Sequence, residues 1–459
     1  MTQLNAVLNK IDENKDAALG RLFELLRIPS ISTDPDYKNN CKDAADWLVN
    51  DLSEIGFDAR RHDTPGHPMV VAHSPGEGPH LLFYGHYDVQ PVDPLDLWNT
   101  PPFEPTVESS ENGDVIRGRG AADDKGQLMT FVEACRAFKA ATGQIPGNIS
   151  IFLEGEEESG SPSLVPFLEK HKDDLSADLC LVCDTGMWDQ NTPAITTMLR
   201  GMVAEQITIT GPDRDLHSGA YGGPAINPIR VLTRILAEMH DDAGRIMIAD
   251  FYDGVTEVPE NVKSQWDGLG FRADQFLGDV GLSQPAGEEG YSALEQIWSR
   301  PTCEINGIEG GYTGTGFKTV LPSQATAKVS FRLVGEQDPV AIQNNLRKFV
   351  TDRLPPDCNV EFHAKNNSKA TVMPVDAPEF EKARQALSDE WPNEAVFIGC
   401  GGSIPVVGHF MDILDTQSLL VGFGLEDDAI HSPNEKYNMS SFHKGARSWA
   451  RIIDALSVS

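Results

Sequence analysis

LLFYGHYDV, residues 81–89, is a nearly continuous apolar run that closes on a histidine and an aspartate. Apolar residues at successive positions suit a short strand buried on both faces, the kind found in sheets covered by helices. MVVAH (69–73), ISIFLEG (149–155) and LCLVCD (179–184) repeat the pattern, each followed by turn chemistry. Helical spacing marks Leu4–Ile28, stopped by Pro29, then Lys42–Ile55, and Gln127–Ala141 between the second and third of these runs. Strands alternating with helices indicate an α/β domain with a covered central sheet.

Near Arg200 the grammar changes. VAEQITITG (203–211) and ATAKVSFRL (325–333) alternate, as strands with one wetter face do. Helical patterns over Asn227–Met239 and Val340–Asp352 and a further strand, VEFHA (360–364), complete a small α+β layer. After about Val375 the first pattern resumes, with a helix at Glu379–Ser388, a strand at AVFIG (395–399) and a helix through Ser440–Leu456. The reading is one catalytic domain, residues 1–199 and 376–459, interrupted by an inserted domain at 200–375. The segment 244–300 fits neither pattern.

Composition narrows the function classes. Sixty-nine acids against thirty-seven bases give 459 residues a formal charge of -32. Nucleic acid and anionic membranes are themselves negative, so neither is expected as a partner. No apolar run approaches the length of a membrane helix, about 20 residues. The start of the chain has no secretory signature, and seven scattered cysteines do not form a disulfide framework, which points to the cytoplasm. Cys180 and Cys183 sit in one apolar strand, where i and i+3 face opposite ways, so they are expected in the core rather than on a metal.

The chemistry-bearing residues fall at strand ends. His86 and Asp88 follow one strand; Glu154, Glu156, Glu157 and Glu158 follow another; Asp184 ends a third. Asp123 and Asp124 lie in a Gly-flanked loop that opens a helix, and DAIHSPNEK presents His431. Ligand sites in open α/β sheets assemble at the carboxyl ends of strands. Acids and imidazoles converging there need cations to offset buried charge, and Zn²⁺ or Mn²⁺ suits such donors. Any one of these motifs alone would be an ordinary turn or a solvated acidic run; five together are not.

The motifs GHYDVQP, GRGAADDKG, EGEEESGS, CDTG, DLHSGAYGG, GGSIP and HSPNEK resemble those of the co-catalytic metallopeptidases, the family of carnosinase, cytosolic non-specific dipeptidase, aminoacylase, carboxypeptidase G and the acetylornithine and succinyl-diaminopimelate deacylases. The resemblance implies a zinc-peptidase-like catalytic domain split by a ferredoxin-like lid that also dimerises. It implies two divalent ions per subunit, Zn²⁺ or Mn²⁺: His86, Asp123 and Asp184 on one, Asp123, Glu158 and His431 on the other, with Asp123 bridging. Water held between the ions would be the nucleophile and Glu157 the general base. Asp88 would hydrogen-bond the His86 imidazole, and a cis peptide would follow Asp123. His217 would reach across a homodimer interface to the reacting carbonyl.

Thr319 and Ser403 match substrate-contacting positions of the carnosinase-like branch, and Arg332, on an alternating strand of the lid, could clamp a C-terminal carboxylate in two-pronged fashion. With the long lid, they favour a dipeptide substrate over an N-acyl- or N-carbamoyl-amino acid. A non-catalytic metal-binding dimer would be expected to lack Glu157 or Asp123, and both are present. A serine hydrolase is disfavoured because GGSIP is not a G-x-S-x-G elbow.

Overall fold

The computed structural model describes residues 3–110, 112–365 and 367–457. Strand His80–His86 lies inside a mixed sheet, parallel to Asn148–Glu154 on one side and to Leu179–Val182 on the other. Beyond the first come Met69–Ser74 and then Asp58–His62; beyond the second come Ser418–Leu420 and Ala194–Leu199. Ser418–Leu420 is also parallel to its inner neighbour. Four strands running one way therefore bring His86, Glu154, Val182 and Leu420 to the same edge of the sheet.

Both faces of this sheet are covered, and alternation along one strand shows how. Phe83 stacks on Phe131 of helix Lys125–Thr142 at 3.9 Å and meets Trp449 of helix Met439–Leu456 edge-on at 5.8 Å. Its neighbour Tyr84 points the other way, to Phe152 and Phe410. Cys180 and Cys183 are buried, and no disulfide forms among the described residues. The expected single helix over Leu4–Ile28 is two, Gln3–Glu13 and Lys15–Leu26. The break falls at Asn14, whose side-chain amide bonds back to the Lys10 carbonyl at 2.8 Å, the local competition that makes Asn a poor interior helix residue. Among the described residues no helix is long and apolar enough to cross a membrane.

By packing, the chain divides into two units: Met1–Thr197 with Met373–Ile398 and His409–Ser459, and Met198–Val372 with Gly399–Gly408. The second has the order β-α-β-β-α-β: Gly201–Thr210, Pro228–Ala237, Thr302–Gly310, Gln324–Leu333, Pro339–Thr351 and Asn359–Ala364. Its antiparallel sheet runs 302–310, 324–333, 201–210, 359–364, which is ferredoxin-like. Val203, Ile207, Ile209, Val329 and Phe331 point to one face and form the core with both helices. The segment 244–300 contributes short helices at Glu260–Gly268, Ala273–Gly278 and Ala293–Trp298. Arg300 anchors it, buried against Glu288 at 2.7 Å and lying 4.1 Å over the Tyr291 ring.

Trp449 is fully buried and touches Phe83, Phe131 and Phe423. Trp449→Ala is expected to cost about 3–5 kcal/mol, through lost transfer energy and a residual cavity. Urea unfolding followed by far-UV circular dichroism reads this as a lowered midpoint; an unmoved midpoint would mean that the aromatic layer is not what fastens helix 439–456 to the sheet.

Candidate metal centre

The first unit's strand ends deliver the site. His86 is the last residue of its strand and Asp184 lies two residues beyond Val182. Glu157 and Glu158 open a single 3-10 turn, Glu157–Ser159, just after Glu154. Asp123 precedes helix Lys125–Thr142, and the Asp123–Asp124 peptide is cis, as the motif implied. His431 sits in a loop with φ of 61°, a left-handed conformation uncommon for a residue with a Cβ.

The two oxygens of Asp123 face different imidazoles. Oδ1 is 3.1 Å from His86 Nε2, and Oδ2 is 2.9 Å from His431 Nε2. Asp184 Oδ2 lies 4.0 Å from the same His86 nitrogen, and Glu158 Oε2 lies 3.3 Å from the same His431 nitrogen. Two triads result, His86–Asp123–Asp184 and Asp123–Glu158–His431, sharing one carboxylate. Ligand atoms each about 2.1 Å from a tetrahedral ion stand about 3.4 Å apart, so both triads have the spacing of a cation's ligand shell. The donors, imidazole and carboxylate, fit Zn²⁺ or Mn²⁺ equally well.

A buried scaffold holds these groups. Asp88 was expected to hydrogen-bond the His86 imidazole; His86 Nδ1 lies 3.1 Å from the Asp88 backbone carbonyl and 3.5 Å from its carboxylate Oδ1. The carboxylate accepts from the amides of Glu157 (3.2 Å) and Glu158 (3.0 Å), so Asp88 ties the histidine strand to the glutamate turn. Gln90 donates to Glu158 Oε2 at 2.6 Å, the oxygen that faces His431. Asp124 accepts the His86 amide at 3.0 Å and the Cys183 thiol at 3.2 Å. A Cβ on Gly85 would stand 2.8 Å from that Asp124 oxygen, which is why glycine precedes this histidine.

Glu435 was quoted within HSPNEK but given no role. It is fully buried and accepts from Arg119 Nη1 (2.6 Å) and from the amides of Gly120 (3.0 Å), Ala122 (2.9 Å) and Asp123 (3.1 Å). The antiparallel pairing of Lys436–Asn438 with Gly113–Arg117 sets this register, and one carboxylate so joins the His431 loop to the Asp123 loop. The only signal in the sequence was its spacing from His431.

Charge is unbalanced in this site. Burial pushes Asp184 up to about 8, with Asp123 adding and His86 opposing. Burial also raises Glu157 to about 8; His86 opposes, and Asp184, Glu158 and Asp88 reinforce the shift. Against burial, the His431 and His86 contacts hold Asp123 below the usual carboxylate range. Asp123 and Glu158 raise His431 to about 10. Excess negative charge in a buried cluster is the condition a divalent cation relieves.

The remaining candidates lie in the second unit. His217 and Thr319 are exposed and adjacent: His217 pairs with Val320, and the Ser218 amide donates to the Thr319 carbonyl at 3.0 Å. His217 Nδ1 accepts from the Gly219 amide at 2.9 Å. Arg332 is half-buried on strand Gln324–Leu333, opposite Met202, and Ser403 belongs to the segment Gly399–Gly408.

Comparison with known proteins identifies the family. The model of Peptidase family M20/M25/M40 matches residues 82–455. The Cys-Gly metallodipeptidase dug1 of Schizosaccharomyces pombe is 30% identical over 471 residues, covering 99% of this chain and 98% of that protein. The solved structure of the di-peptidase Dug1p from Saccharomyces cerevisiae superposes with a TM-score of 0.80 at 29% identity, covering 100% of both chains. The M20 family metallo-carboxypeptidase Sso-CP2 from Sulfolobus solfataricus gives a TM-score of 0.83 at 28% identity, covering 96% of this chain and 99% of that one.

The raised carboxylates carry a prediction for metal-stripped protein. A folded state that keeps protons on Glu157 and Asp184 up to about 8 binds more protons than the unfolded chain, whose carboxylates titrate near 4. His431, raised to about 10, has the same sign above its ordinary 6.5. Stability of the stripped protein therefore falls as pH rises from about 5 to about 8. Thermal melts across that range are expected to show the decline and its removal by added Zn²⁺ or Mn²⁺; a stripped protein that gains stability over the window would contradict the charge assignment.

Proposed function

Because the chain belongs to peptidase family M20/M25/M40, we propose that it hydrolyses the peptide bond of dipeptides with two divalent ions, Zn²⁺ or Mn²⁺. The carrying observation is the Asp123 carboxylate, whose two oxygens each face one imidazole of a separate triad. His86, Asp123 and Asp184 would hold one ion, and Asp123, Glu158 and His431 the other. Bound there, the ions supply Lewis acidity, which brings the pKa of water from about 15.7 toward about 7 and polarises the scissile carbonyl.

The chain's own residues do the rest. Glu157 is the general base: it accepts the proton of the attacking water and returns it to the leaving amine. Its placement next to Glu158, with both amides held by Asp88, supports this role because base and ligand then move as one unit. The first unit is the catalytic domain and the second, with Gly399–Gly408, the lid through which two copies dimerise. His217 donates to the developing oxyanion of the partner copy's substrate, and Thr319, Arg332 and Ser403 contact the substrate backbone and carboxylate. The names of the relatives, metallodipeptidase and di-peptidase, support the substrate class. Seven cysteines with no disulfide among the described residues support a cytoplasmic setting.

Metal-stripped protein is expected to be inactive on dipeptides and to recover with Zn²⁺ or Mn²⁺, measured as free amino acid released. N-acetyl- and N-carbamoyl-amino acids should stay intact. Cleavage of those alone would replace the substrate class but keep the mechanism, and trimming of longer peptides from the C-terminus would make the chain a carboxypeptidase. Glu157→Gln should lower kcat by about 10²–10⁴-fold while metal content by mass spectrometry stays near that of the unaltered protein. His217→Ala should lower kcat far more than metal content, with the dimer intact by light scattering; undiminished turnover would remove His217 from the reaction.

A further inference from the structure

Two guanidinium groups of the second unit, Arg200 and Arg332, have no acid paired with them among the described residues. Arg332 stands opposite Met202 across the paired strands, and Arg200 is two residues before Met202, so the two arginines are diagonal neighbours. Both lie on the face turned away from the core that Val203, Val329 and Phe331 build, and both are half-buried. Among the described residues, neither makes an ion pair.

Arg200 is fixed in place. Its Nε donates to the Gly401 carbonyl at 2.8 Å, and its backbone amide donates to the Gly402 carbonyl at 2.9 Å. A Cβ on Gly401 would come within 3.4 Å of Arg200 Nη2 and 3.1 Å of Ile297, so the loop leading to Ser403 is packed down on this guanidinium. Nη1 is buried and has no hydrogen-bond partner. A buried donor on a charged group without an acceptor is costly, and a carboxylate brought to this guanidinium would offset that cost. Burial, with Arg332 adding, brings Arg200 down to about 10, with Cys400 and Glu304 opposing. It remains charged at neutral pH.

The charge count sets the ligand. A substrate with one carboxylate would satisfy one arginine and leave the other cation half-buried and unpaired. A substrate with two carboxylates on one residue neutralises both. We infer that the Arg200–Arg332 pair selects dipeptides whose C-terminal residue is acidic, with the α-carboxylate on Arg332 and the side-chain carboxylate on the Arg200 guanidinium. This rests on the proposed dipeptidase reading for the role of Arg332 and adds to it a preference and a residue.

The test compares acid and amide pairs of equal size on the metal-loaded enzyme: Ala-Asp against Ala-Asn, and Ala-Glu against Ala-Gln. At least one acid is expected to exceed its amide by about tenfold or more in kcat/KM, a difference that lies chiefly in KM. Arg200→Met should bring that ratio to about one, whereas Arg332→Met should weaken both members of the pair alike. Arg200→Lys, which keeps the charge, should retain part of the preference and shows whether loss in the Met variant is merely misfolding. Acid-to-amide ratios near one in the unaltered enzyme, or a ratio untouched in a folded Arg200→Met, would overturn the inference. Calorimetric binding of glutamate against glutamine to the same proteins needs no turnover. If no dipeptide is cleaved yet glutamate binds better through Arg200, the dipeptidase reading fails and the dicarboxylate site stands.

Discussion

Everything around the candidate metal centre is arranged about one carboxylate placed between two imidazoles. Asp123 has both oxygens committed, and each of its histidines is shared with a second acid, Asp184 or Glu158. Such a cluster is unfavourable by itself. The attraction between imidazolium and carboxylate offsets part of the cost of burial, but more acids than imidazoles are gathered there, and the excess shows as protons retained by Glu157 and Asp184 up to about 8. Cations at the two triads would turn the same arrangement from a liability into a bound state, and metal affinity and fold stability would become one quantity.

That constraint reaches well beyond the ligands. A bridging carboxylate must be held to within a few tenths of an ångström, so its neighbours are held too. Glu435 fixes the backbone of the Asp123 loop from below with three amide hydrogen bonds and balances its charge on Arg119. Asp124 grips the amide of His86, and the absence of a side chain at Gly85 is what lets it approach. Asp88 holds the amides of Glu157 and Glu158. Five chain segments thus meet at the parallel strands' carboxyl edge, each tied to another by a buried charged group.

Much of this was legible in the sequence because two simple signals coincided. Apolar runs such as LLFYGH located the buried strands, and the acids and histidines directly after them located the edge where ligands gather. Alternation in 203–211 and 325–333 marked an α+β layer, but its ferredoxin-like form was implied only by the family resemblance, and strand Thr302–Gly310 left no clear alternation to read. What stayed hidden depends on tertiary pairing. Nothing local distinguishes Glu435, which receives its partners from residues more than three hundred positions away, from the solvated acid its neighbours suggest. Asp88 was placed against the correct histidine, but which of its oxygens would face the ring depends on how the glutamate turn closes. The break at Asn14 was masked by apolar spacing that continues through it. Arg200 drew no notice because its meaning lies in a missing partner, and an absence has no sequence motif.

The two units pose the same electrostatic problem with opposite sign. In a chain with a formal charge of -32, acids are plentiful, so an arginine pair without one is harder to account for by chance than an acidic cluster without a base. The exposed Glu304 and Glu309 lie on the strand paired with that of Arg332, yet among the described residues neither forms an ion pair with either guanidinium. A fold that wanted only stability would pair Arg332 as it pairs Arg347 with the buried Glu205 on the neighbouring strand. Leaving two cations unpaired beside an unsatisfied Nη1 costs stability, and that cost is recovered only when an anion arrives. By this reasoning the acidic cluster specifies the cations a site needs before substrate binds, and the arginine pair specifies the charge of the substrate itself.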